Sequence, residues 1–101
     1  MPKIFEYLGI VIFFYAHEHE PVHVHARYEG RENKAEFIIE NGKIVKITIK
    51  VVGNSKSLKS SELKKFDDFL EVYSERIIEK WIDFFLLKKQ VSFERITKRV
   101  K

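Results

Sequence analysis

The sequence contains no cysteine. Disulfides, thiolate nucleophiles and cysteine-ligated zinc are excluded together, and a reducing compartment, the cytoplasm, is the natural expectation. Proline occurs only twice and glycine four times, which leaves no low-complexity linker on which to divide the chain. No apolar run approaches the roughly 20 residues of a membrane-spanning helix; Leu8 to Ala16 falls well short. No basic start followed by a small-residue cleavage site is seen, so neither a signal peptide nor a membrane partner is expected. A glycine-rich phosphate loop, a Ser-His-Asp set and a paired-carboxylate site are also missing, and Asp67-Asp68 reads as a solvated helix face.

What is present suits one core. The chain has 101 residues, 45% of them hydrophobic and 14% aromatic, with nine Phe. Residues 1–101 are read as a single domain. The net charge of +4 is unevenly placed. Residues 1–53 balance seven Lys/Arg against seven Asp/Glu, whereas residues 54–101 hold twelve against eight. After Leu87 the cations Lys88, Lys89, Arg95, Lys98, Arg99 and Lys101 face only Glu94. Such a tail is either a solvated terminus or a site for an anionic partner such as RNA.

Hydrophobic periodicity predicts an α+β fold. Ile10 to Tyr15 is β-branched and aromatic, and reads as a well-covered strand. Val22 to Tyr28 alternates, with Val22, Val24, Ala26 and Tyr28 on the core face and His23, His25 and Arg27 on the other. Residues 29–33 read as a polar turn, and Lys34 to Ile39 as the next strand. A three-residue loop, Glu40-Asn41-Gly42, would pair Phe37 with Val45 and Ala35 with Ile47 on the strand that runs to Val51. Ser60 and Ser61 are candidate helix caps. The apolar stripe through Leu63, Phe66, Leu70 and Tyr73 resumes at Ile77, which favours two helices with a break near Ser74. The expected architecture is a mainly antiparallel sheet of about four strands (about 1–52), then two helices (about 60–89) packed on one face. A basic tail (90–101) follows, and the core is expected to end near Leu87. Ser92 to Val100 reads as a short strand or an ordered tail.

All four histidines lie in the nine residues His17-Glu18-His19-Glu20-Pro21-Val22-His23-Val24-His25. A solvated loop has no need to collect every imidazole of the chain. His23 and His25 share a strand face with Arg27, and His19 precedes them in a proline-ordered loop.

Met1-Pro2-Lys3-Ile4, Gly9-Ile10-Val11-Ile12 and the run from Glu18 to Ala26 resemble the family catalogued as domain of unknown function 4160. The His-x-Pro-x-His-x-His run at His19, Pro21, His23 and His25 carries the likeness, which extends through the hairpin and Glu79-Lys80-Trp81. His17 lies outside the pattern, and Val22 stands where many members have a second proline. The resemblance implies no established chemistry. It does imply a gene pair with a small antitoxin-like protein, with this chain as the toxin half.

Three functional readings result. In the first, His19, His23 and His25 supply acid and base for RNA cleavage, Arg27 meets the developing phosphorane charge, and Lys88, Lys89, Arg95, Lys98 and Arg99 hold the RNA. In the second, His19, His23 and His25 ligate a divalent transition metal. In the third, the histidine face is structural or covered by a protein partner, a second copy of the chain included. Trp81 and the Phe stripe read as core in all three.

Overall fold

Pairs of residues with positive φ join the first strands. The computed structural model describes residues 2–17 and 21–101. Its first strand, β1 (Lys3–Tyr7), turns through Leu8-Gly9 into β2 (Ile10–Phe13). β3 (His23–Tyr28) turns through Glu29-Gly30 into β4 (Arg31–Glu40), which turns through Asn41-Gly42 into β5 (Lys43–Val51). At each turn both residues have φ between 50° and 90°. Such mirror-image turns match the right-handed twist of the strands. At Gly9 space matters as well, since a Cβ there would lie 3.1 Å from the Tyr28 ring.

β6 (Glu94–Ile96) completes a six-stranded sheet in the order β5-β4-β3-β2-β1-β6. It pairs parallel to β1, and the other neighbours are antiparallel. The sheet is therefore mixed and six-stranded, not a sheet of about four. The two additional strands are the ones with little pattern. β1 carries a bulge between Lys3 and Phe5, and Ile4 and Phe5 are both fully buried. β6 has only three residues.

The helical region is also corrected. One helix, α1 (Ser60–Trp81), replaces the two expected, and it runs on as a π-helical turn over Ile82–Leu86. A serine within a helix costs only tenths of a kcal/mol, and the buried stripe Phe66, Phe69, Leu70, Ile77 and Trp81 continues past Ser74 without a change of face. The N-cap is Lys59, with no side-chain cap, while Ser61 bonds Glu62. Asp68 is 8% exposed and holds Lys64 at 2.8 Å, so it does not belong to a solvated face.

The β4–β5 hairpin has a two-residue loop rather than three, with Glu40 opposite Lys43. A register shift follows: Ile39 faces Ile44 while Ile38 faces Lys46, so Val45 is the extra residue of a bulge. The bulge settles the parity that a two-residue loop would otherwise spoil. Phe37 meets Ile47, Ala35 meets Ile49, and Val45 is left 54% exposed.

α1 packs over β1 and β3. Phe5, Tyr7, Phe69 and Tyr73 form one ring cluster, with centroids 4.6–5.5 Å apart. Phe14, Trp81, Phe84 and Phe85 form another. Among the described residues no helix is long and apolar enough to cross a membrane.

The core does not end at Leu87. Val91, Ile96 and Val100 pack against it. Lys80 Nζ donates to the Ser92 carbonyl at 2.9 Å and pairs with Glu94 at 3.0 Å, and the Val100 amide donates to the Tyr7 hydroxyl at 3.1 Å. Removing the residues after Lys89 is therefore expected to cost roughly 2–4 kcal/mol, the scale of three partly buried aliphatic side chains. Urea denaturation measures it, and an unchanged midpoint would contradict the packing.

Glu94 adds a pH dependence. Burial pushes its carboxyl up, but donors and charges from Arg76 and Lys80 outweigh this and hold it below the ordinary 4.5. A lowered folded pKa stabilises fully above the ordinary value, and the gain is lost as pH falls through the folded one. Glu94→Gln should therefore destabilise at neutral pH, with the deficit shrinking below the carboxylate range. A deficit equal at both ends of that range would refute the assignment.

Candidate functional site on the outer sheet face

Strand alternation divides β3 between two environments. Val24 and Ala26 are fully buried in the core with α1, whereas His23, His25 and Arg27 project from the opposite, outer face. Register supplies their neighbours. Phe13, His25 and Lys34 form one cross-strand row, Val11, Arg27 and Glu32 the next, and His23 faces Glu36.

Glu32 gathers this face. Its Oε2 accepts from His25 Nδ1 at 3.1 Å, and its Oε1 accepts from Arg27 Nε at 3.2 Å and Nη2 at 3.0 Å. The Tyr15 hydroxyl donates to Oε2 at 3.2 Å and accepts from Arg27 Nη2 at 3.1 Å. Glu32 itself is 5% exposed. A carboxylate so removed from water is stable because three charged or polar partners satisfy it.

Aromatic packing completes the cluster. Phe13 is fully buried and stacks on His25 at 5.4 Å, while the Arg27 guanidinium lies 5.0 Å over the same ring. Tyr15 meets His25 edge-on at 4.4 Å, and the His23 and His25 rings are 5.0 Å apart. Phe13 thus belongs to a second, small core outside the main one.

The hydrogen bonds set tautomers and charge. The Pro21 carbonyl only accepts, so the proton lies on His23 Nδ1, 2.6 Å away. By the same logic His25 Nδ1 donates to Glu32. The hydrogen bond to Glu32 leads in raising the Arg27 pKa above its ordinary value. Burial first, then the Glu32 charge, raises Tyr15, which stays a neutral phenol. At the row's end Lys50 leads in holding Glu36 below the carboxylate range.

The expected site residues are only partly brought together. His23, His25 and Arg27 join in one cluster, whereas His19 lies outside the described residues and His17 is exposed. His23 and His25 are 4% and 1% exposed. Among the described residues no three His, Cys, Asp or Glu gather to hold a metal. The basic set is split: Arg95 pairs with Glu6 at 3.1 Å and Lys101 with Glu71, while Lys88, Lys89, Lys98 and Arg99 are exposed. Glu32 was missed because residues 29–33 read as a turn. The available signal was Glu29-Gly30 as a two-residue turn, which places Glu32 opposite Arg27.

No curated protein and no solved structure matches the chain. A model of one protein family, described as a domain of unknown function (DUF4160), matches residues 9–82.

Glu32→Ala strips His25, Arg27 and Tyr15 of their shared acceptor. It is expected to cost about 1–3 kcal/mol, the range for leaving buried polar groups unsatisfied. Arg27, with its side chain 41% exposed, recovers part of its loss in water. Chemical denaturation alongside Lys34→Ala as an outer-face control measures it, and equal effects would show that the Glu32 network holds nothing.

Proposed function

Because the chain belongs to the family described as a domain of unknown function, DUF4160, its activity has to be argued from its own side chains, and we propose that it binds RNA as the toxin-like half of a two-gene module. One observation carries the reading. The fold neutralises two of the six cations after Leu87 and leaves the other four to solvent: Lys88, Lys89, Lys98 and Arg99 make no ion pair among the described residues. Exposed cations left without carboxylates can neutralise phosphates and release counterions, the main source of affinity for nucleic acids.

Arg27 adds an ordered cation. Glu32, Tyr15 and the Phe13 ring fix its guanidinium through Nε and Nη2 while its side chain stays 41% exposed, which leaves Nη1 as a single ordered donor for a phosphate. His25 supports this from below as a positioning residue through Glu32. Proton transfer to a phosphodiester requires an imidazole within hydrogen-bond reach of substrate. At 1% and 4% exposure His25 and His23 give a substrate little access, which favours binding over cleavage.

Affinity for a single-stranded RNA should fall steeply with salt. For single strands the log–log slope is about 0.7 per neutralised phosphate. Replacing Lys88, Lys89, Lys98 and Arg99 by serine should flatten it by about 3 if each meets a phosphate. Fluorescence anisotropy at several salt concentrations measures the slope, with circular dichroism as the fold control. A slope unchanged in the folded variant would remove the RNA assignment.

A further inference from the structure

The sheet ends on β5, nine residues long, and among the described residues no strand pairs with its outer edge. An open edge of that length is a template for another extended segment, bound through main-chain hydrogen bonds with side chains read alternately on two faces. Both faces beside this edge carry chemistry.

On the inner side a groove of about 710 Å³ separates β5 from α1. Ile44, Ile47 and Ile78 line it, and Glu75 and Glu79 stand on its helical wall. The groove exists because α1 lies over β1 and β3, nearer the centre of the sheet. Glu75 and Glu79 are exposed and make no ion pair among the described residues. On the outer side Lys46 and Lys50 alternate with Thr48, and β5 contains no acidic residue. Lys50 is held by Glu36 at 2.7 Å, whereas Lys46 has no carboxylate partner among the described residues.

The geometry points to β5 as the docking edge for an extended segment of a partner protein. Its outward side chains are acidic and meet Lys46 and Lys50. Its inward ones are apolar, over Ile44, Ile47 and Ile78, with a long cation whose head reaches Glu75 and Glu79. A second copy of this chain does not meet that description. Antiparallel pairing of two β5 strands would set lysines against lysines on one face and glutamate ridges against each other on the opposite one. Like charges confronted across a strand pair are destabilising, and edge lysines are a common guard against self-pairing. The same lysines favour an acidic strand, so the edge is selective rather than closed. The inference is independent of RNA binding, which uses other residues.

The test is a titration of the isotopically labelled protein with a synthetic peptide of the length of β5. In it, Glu alternates with Val and one central Val is replaced by Lys. Backbone amide shifts are expected along Lys43–Val51, with little change at β6. Lys46→Glu, an exposed substitution that leaves the core untouched, should weaken binding at least tenfold, and Glu75→Lys should weaken it less. A peptide with Lys in place of Glu should bind the wild type at least tenfold more weakly, and should regain affinity for Lys46→Glu. The proposal is overturned if β5 amides do not shift, or if both peptides bind alike. Concentration-dependent self-association of the free protein through β5, read by sedimentation, would overturn it in favour of a second copy.

Discussion

The outer face of this protein depends on one buried carboxylate. A sheet with a helix on one side ordinarily leaves its other side to water. Here Glu32 draws His25, Arg27 and Tyr15 inward, and Phe13 closes under them. Over β2, β3 and the start of β4 the sheet is covered on both sides by different means, hydrocarbon against α1 and a satisfied polar cluster opposite. Burying a carboxylate is costly unless every lone pair is used. That cost ties three strands together, because Glu32 stands on β4 and its partners come from β3 and from the segment leaving β2.

The cluster also changes what a histidine-rich stretch means. Imidazoles on a strand face suggest acid–base chemistry or metal ligation when they are exposed. Here each Nδ1 is committed, to the Pro21 carbonyl and to Glu32, which fixes the tautomer and the orientation of both rings inside a packed layer. Arg27 is the more exposed member of the face, and the layer orients its guanidinium through Glu32 and Phe13.

Much of this was legible in the residues. The alternation of Val22 to Tyr28 assigned His23, His25 and Arg27 to one face correctly, because period-two patterning records which side of a strand meets the core. The four best-patterned strands were found for the same reason. Glu32 was not legible, since a charged Arg-Glu-Asn stretch reads as a turn until the two-residue Glu29-Gly30 turn shows that β4 begins at Arg31. β1 was hidden by Leu8, a residue that rarely takes the positive φ its turn demands. Constant parity predicts a three-residue hairpin loop, whereas the bulge at Val45 changes the parity midway and permits two. The lapse of the apolar stripe between Tyr73 and Ile77 reads as a break near Ser74, although packing governs helix continuity more strongly than one serine.

The placement of β6 has a consequence for how the molecule is made. β6 lies beside β1, and the Val100 amide bonds a tyrosine 93 residues earlier. Contacts of such sequence separation carry a large loop-closure cost and form late. While the chain is being synthesised, β1 therefore presents an unpaired edge until nearly every other element has emerged. During that interval the nascent sheet is open at both sides, and chaperone capture or misassociation would be concentrated there. Completion of β6 covers the β1 edge with a strand of three residues and leaves β5, nine residues long, as the longer of the two edges that end the sheet.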